Sequence, residues 1–72
     1  MHHPPNLLDV VALTVDLSER GLVRGQVGTI VELLPDDGFE VEFSDDEGRT
    51  YASLALRLSQ FMILHHRPVM VA

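Results

Sequence analysis

Polar and apolar positions alternate most cleanly at residues 39–44, where Phe39, Val41 and Phe43 interleave with Glu40, Glu42 and Ser44. A period of two places the apolar side chains on one face of a β-strand and the polar ones on the other. Asp9 to Val15 reads Asp-Val-Val-Ala-Leu-Thr-Val, rich in β-branched residues and too apolar for a solvent-facing helix, and predicts a first strand. Gln26 to Leu34 predicts a second, interrupted by Gly28, which marks a bulge or sharp bend of the kind a small barrel needs in order to close. Arg49 to Leu56 then pairs back against the Phe39 strand as a meander.

The segments between these runs carry turn chemistry. Pro35-Asp36-Asp37-Gly38 predicts a tight turn, with Asp37-Gly38 supplying the positive backbone angles, and Ser44-Asp45-Asp46-Glu47-Gly48 predicts another. Asp16 to Gly25, with its charges and two glycines, reads as a long exposed loop. Ser53 to Leu64 has two readings. Leu54, Leu58, Phe61 and Met62 recur near helical spacing, which would suit an amphipathic helix. The favoured reading is two short strands joined by a turn around Arg57 to Gln60, with Phe61-Met62-Ile63-Leu64 closing the barrel. The expected fold is therefore all-β, a small five-stranded SH3-like barrel formed as a meander with a long first loop. The barrel covers residues 7–66, between a proline-stiffened arm (1–6) and an apolar tail (67–72).

Size bounds this picture: 72 residues hold one core, and a domain so small needs good packing, a metal or association with another chain. The chain contains no cysteine, which excludes disulfides and thiolate zinc sites. Its net charge of −6, from eleven acids against five arginines, opposes a phosphate backbone, so nucleic acid is not expected as a partner. No apolar run approaches the roughly 20 residues of a membrane span. Met1-His2-His3-Pro4-Pro5 lacks the basic and apolar regions of a signal peptide, so the expected compartment is the cytoplasm.

Gly21-Leu22-Val23-Arg24-Gly25-Gln26-Val27-Gly28-Thr29-Ile30-Val31-Glu32, with Leu8 to Leu13, Phe39 to Phe43 and Leu58 to His65, resembles a small bacterial family of domains of unknown function, DUF4926. The resemblance spans nearly the whole expected domain. It implies an SH3-like barrel and a stand-alone bacterial protein, and it brings no reaction and no catalytic residues. The Arg-Gly-x-x-Gly-Thr core is also similar to KOW modules of transcription factors, but their basic loops contrast with the acidic turns at Asp36 and Asp45.

Candidate chemistry is sparse. Arg20 and Arg24 in the first loop, joined by Arg49 if the alternation holds, suit bidentate recognition of a carboxylate or phosphate; more commonly such residues balance neighbouring acids, here Asp16, Glu19 and Glu47. His65 and His66, and the pair His2 and His3, are the candidate transition-metal ligands. Adjacent histidines on a strand point to opposite faces, so each pair would offer one ligand, and the bland alternative is solvated termini, since the ordered spacing of zinc motifs is lacking. The acidic turns lack the alternating ligand spacing of a calcium loop, and the serines have no nearby histidine outside the tail. No catalytic residue and no cofactor is expected. Phe61 and Met62 belong to an apolar segment costly to leave in water, which makes them candidate binding residues. The leading expectation is a non-catalytic protein-interaction module that meets a partner protein or a second copy, as an accessory or antidote-type chain. The alternative is a small metal- or ligand-binding protein that uses the terminal histidines.

Overall fold

The computed structural model describes residues 4–65. They form five antiparallel strands in one sheet: β1 (Val10–Leu13), β2 (Val27–Leu34), β3 (Gly38–Ser44), β4 (Thr50–Arg57) and β5 (Phe61–Ile63), in the spatial order β4-β3-β2-β1-β5. This is the all-β, SH3-like meander expected, with first and last strands adjacent. A helix over residues 53–64 does not form. Leu54 pairs with Val41 in β4, Leu58 starts a single 3-10 turn (Leu58–Gln60), and Phe61 lies opposite Leu13 in β5. The near-helical spacing of these residues is incidental: Leu54 and Phe61 pack inward from two strands, while Leu58 in the turn and Met62 in β5 are exposed. The ladder stays open, because β4 and β5 are not paired with each other.

Strand β3 obeys its alternation: Val41 and Phe43 are buried and Phe39 half-buried. They join Val11, Leu13, Ile30, Leu56 and Phe61 in one core, to which the first loop adds Leu22. Each large side chain so buried contributes about 1.5–3 kcal/mol relative to exposure. No polar side chain is buried among the described residues. Although the ladder is open, the sheet curls far enough for Phe39 of β3 to meet Phe61 of β5 edge to face, with centroids 5.4 Å apart and planes at 82°.

The curl depends on Gly28, which pairs with Val11 of β1 on one side and Phe43 of β3 on the other. A Cβ at this position would stand 2.7 Å from Val41 Cγ1 and 2.9 Å from the Glu42 carbonyl oxygen. The glycine is thus a point of close approach, whereas the register shift expected at it falls between Ile30 and Glu32, leaving Val31 unpaired. The turn after β2 also differs from expectation. Asp36 and Asp37, both at φ 59°, take the left-handed conformation, and Gly38 already belongs to β3. Two successive left-handed residues match the right-handed twist of the flanking strands. The second turn is tied by Asp45, whose Oδ1 accepts from the Glu47 and Arg49 amides at 2.9 and 3.0 Å, with Gly48 at φ 81°.

The first loop is fastened at several points. Leu17 and Leu22 bridge across it, a 3-10 turn (Ser18–Arg20) shapes its tip, and Asp16 Oδ1 accepts the Arg24 amide at 2.8 Å. Gln26 serves both ends, accepting the Val23 amide and donating to the Tyr51 hydroxyl at 3.0 Å. These bonds hold Leu22 in the core.

Gly28→Ala is expected to cost about 1–3 kcal/mol through overpacking against β3, read as a lowered urea midpoint at unchanged slope. Replacing Asp36-Asp37 by Asn-Gly is expected to raise stability by about 1 kcal/mol, because it relieves two left-handed aspartates; the same urea titration measures it.

Candidate functional site

The break between β4 and β5 leaves an open groove of about 960 Å³. Phe39 and Phe61 belong to its wall, Arg57 and Leu58 come from the β4–β5 junction, and Pro4 and Pro5 reach it from the N-terminal arm. The arm arrives there because Asn6 and Asp9 close a small turn, with the Asn6 amide on Asp9 Oδ2 at 2.9 Å, and the Leu8 amide donates to the Ile30 carbonyl. Phe61, Met62 and Ile63 all line the groove although they are consecutive in a strand. Neighbouring side chains point to opposite faces, so the groove runs along the edge of β5. Leu58 and Met62 stand at it 57% and 54% exposed.

Of the residues singled out from the sequence, Phe61 and Met62 meet here, and His65 lies beside them. Arg20 and Arg24 do not line the groove. Arg20 donates from Nη2 to the Ser53 carbonyl at 3.4 Å, and so covers an outward-facing acceptor on the free edge of β4. Arg24 is fixed through its backbone amide on Asp16. Arg49 is held in its own turn by Glu47 and, at 3.8 Å, by Asp45, so it does not join the other two. His2, His3 and His66 lie outside the described residues. Among the described residues no group of three or more His, Cys, Asp or Glu side chains is placed to hold a metal ion.

Arg57, Leu58, Phe39 and Asp37 are groove residues that sequence reading passed over. Leu58 carried a signal, since a large apolar residue in a predicted turn has no strand partner to cover it. Phe39 carried none, because its alternation reports only that it faces inward.

The outer face of the meander is acidic. Glu32 of β2 stands directly opposite Glu40 of β3, and Glu42 follows on the same face. Glu40 Oε2 accepts the Ser53 hydroxyl at 2.8 Å. No ion pair neutralises these carboxylates among the described residues. Like charges opposed across a ladder are destabilising, so Glu32→Lys is expected to raise stability by about 0.2–1 kcal/mol. The gain shrinks when the melting curve is repeated in 1 M salt.

No helix among the described residues is long and apolar enough to cross a membrane. No curated protein and no solved structure matches the chain. A family model does match, over residues 7–63, from the turn before β1 to the last residue of β5. The match includes every strand and both sides of the groove except the arm and His65, and on that ground the chain belongs to the family described as domain of unknown function DUF4926.

Proposed function

We propose that the chain is a cytoplasmic, non-catalytic protein-interaction module, an accessory or antidote-type chain whose docking surface is the groove beside β5. The observation that carries this reading is the exposure of Leu58 and Met62 along a groove backed by Phe39 and Phe61. Covering apolar surface is favourable by about 25 cal/mol per Å², and large side chains clustered at a concave site are the usual nucleus of a binding surface. The acidic surface, with its net charge of −6, repels phosphate backbones and attracts basic partners.

The test is the double variant Leu58→Asp, Met62→Asp. Both side chains are exposed, so circular dichroism and the urea midpoint are expected to match those of the parent chain. The parent is expected to retain a specific protein from extract of its native cell. The variant is expected to bind that protein at least about tenfold more weakly, a loss of about 1.4 kcal/mol or more. A mass in solution that is double for the parent and single for the variant identifies a second copy as the partner. Retention unaffected by the two substitutions, or a monomer that retains nothing, overturns the proposal.

A further inference from the structure

We infer, resting on that reading, that the groove takes an extended segment of a partner protein as an added strand on β5, with alternating apolar residues and at least one flanking Lys or Arg. The direction of the backbone groups leads to this. The Leu13 amide donates to the Gln26 carbonyl and the Leu13 carbonyl accepts from Gly25, so both backbone groups of Leu13 face β2. The Thr14 amide donates to the Gln60 carbonyl, and the Leu64 amide donates to the Val10 carbonyl. In an antiparallel ladder these directions alternate residue by residue. Ala12 and Met62 therefore form the hydrogen-bonded pair between β1 and β5, while Leu13–Phe61 and Val11–Ile63 are non-bonded pairs.

It follows that the N–H and C=O of Ile63, and the C=O of Phe61, point away from β1 towards the open edge. None of these three groups bonds another described residue across that edge. They lie along the groove and present donor and acceptor at the spacing a further strand requires, which is the geometry of recognition by strand addition.

The other free edge is not equivalent. On β4 the Ser53 carbonyl accepts Arg20, and the Arg57 amide donates to Gln60 Oε1 at 2.7 Å. Side chains thus occupy two of the outward-facing groups of β4, a common protection against unwanted pairing, whereas no described side chain hydrogen-bonds the outward-facing groups of Phe61 and Ile63 beside the apolar groove. The flanking charge follows from Asp37, which lines the groove, and Asp36 beside it. Neither is held in an ion pair with a described residue. Together they exceed the positive charge of Arg57 among the described residues that line the groove, and the net charge of −6 adds a field of the same sign.

The test uses a phage-displayed library of linear heptapeptides selected on the full chain, with the enriched sequences resynthesised. Peptides that alternate apolar residues and carry Lys or Arg are expected. Their binding is expected to slow hydrogen exchange of the Ile63 amide by about tenfold. The chain is short enough for total synthesis, so the Ile63 N–H can be replaced by an ester oxygen without altering any side chain. That change is expected to weaken peptide binding about fivefold while leaving the fold intact, in line with loss of one hydrogen bond. Peptides released by Leu58→Asp, Met62→Asp but indifferent to the ester, with Ile63 exchange unchanged, overturn strand addition and leave the groove as the docking surface. Enriched peptides that are insensitive to those substitutions overturn both. A selection that enriches nothing, with partner retention still dependent on Leu58 and Met62, also overturns strand addition, because the partner then presents a folded surface.

Discussion

The approach of β2 to β3 at Gly28 is the constraint on which the remaining geometry depends. Strand β2 is the central strand of the five, and Gly28 and Thr29 are where it pairs with β1 and β3 together. Without a Cβ at Gly28, Val41 and Phe43 can lie over the backbone of β2 at a separation that no other residue permits. The sheet then curls tightly enough to bring β3 back to β5, and the Phe39–Phe61 contact joins the two ends of the core that hydrogen bonds do not join. A larger residue at 28 would open the curl, separate those rings and change the width of the groove between them.

That the ladder remains open is a matter of length and direction. Strand β4 runs for eight residues and β5 for three, with a single 3-10 turn between them. So abrupt a reversal turns β5 towards β1 instead of back along β4. Gln60 stabilises the reversal by accepting the Arg57 amide, while its carbonyl accepts Thr14 and anchors β5 to β1. One residue therefore holds both the start of the break and its far side. The groove is the space that this reversal leaves, and its apolar lining comes from residues that a closed barrel would have covered.

Much of this was legible in the chain. The alternation at Phe39–Ser44 fixes which face of β3 is inward, and the turn residues on either side set the meander, so the central strands follow from local rules. The errors arose where two local signals compete or where distance matters. Asp36-Asp37-Gly38 offers three residues able to take positive φ, and pairing of Leu34 with Gly38 places the glycine in the strand, leaving the bend to the aspartates. Gly28 was singled out as the place of a bulge or sharp bend, and the bulge itself occurs at Val31; composition does not separate a residue that bends a strand from one that lets another strand come near. The groove was legible only in part. Phe61 and Met62 stand out as an apolar run with Leu58 close before them, whereas Phe39 and Pro5 join them only in the folded chain, and no pattern within a window of sequence contains that meeting. Arg20 shows the converse: as a charged loop residue it suggested recognition of a ligand, yet its guanidinium reaches a strand carbonyl of its own chain.

The two edges left open among the described residues differ in ways that bear on how so small a domain avoids unwanted pairing while offering the surface proposed for docking. An eight-residue unpaired edge such as β4 would template aggregation if nothing interrupted it. Arg20 and Gln60 interrupt it near its middle and at its end, and the charged residues of the outer face, Glu40 and Glu42 among them, discourage a second sheet from stacking there. The edge of β5 needs less protection because it is only three residues long, too short for stable pairing unless side chains add to it. Pairing on β5 thus becomes conditional on burial of Leu58 and Met62. Backbone groups alone give little selectivity, and an apolar groove alone gives little direction. Placed together on a short edge they make each contribution depend on the other, so that a segment docked as proposed would have to satisfy both the ladder and the groove.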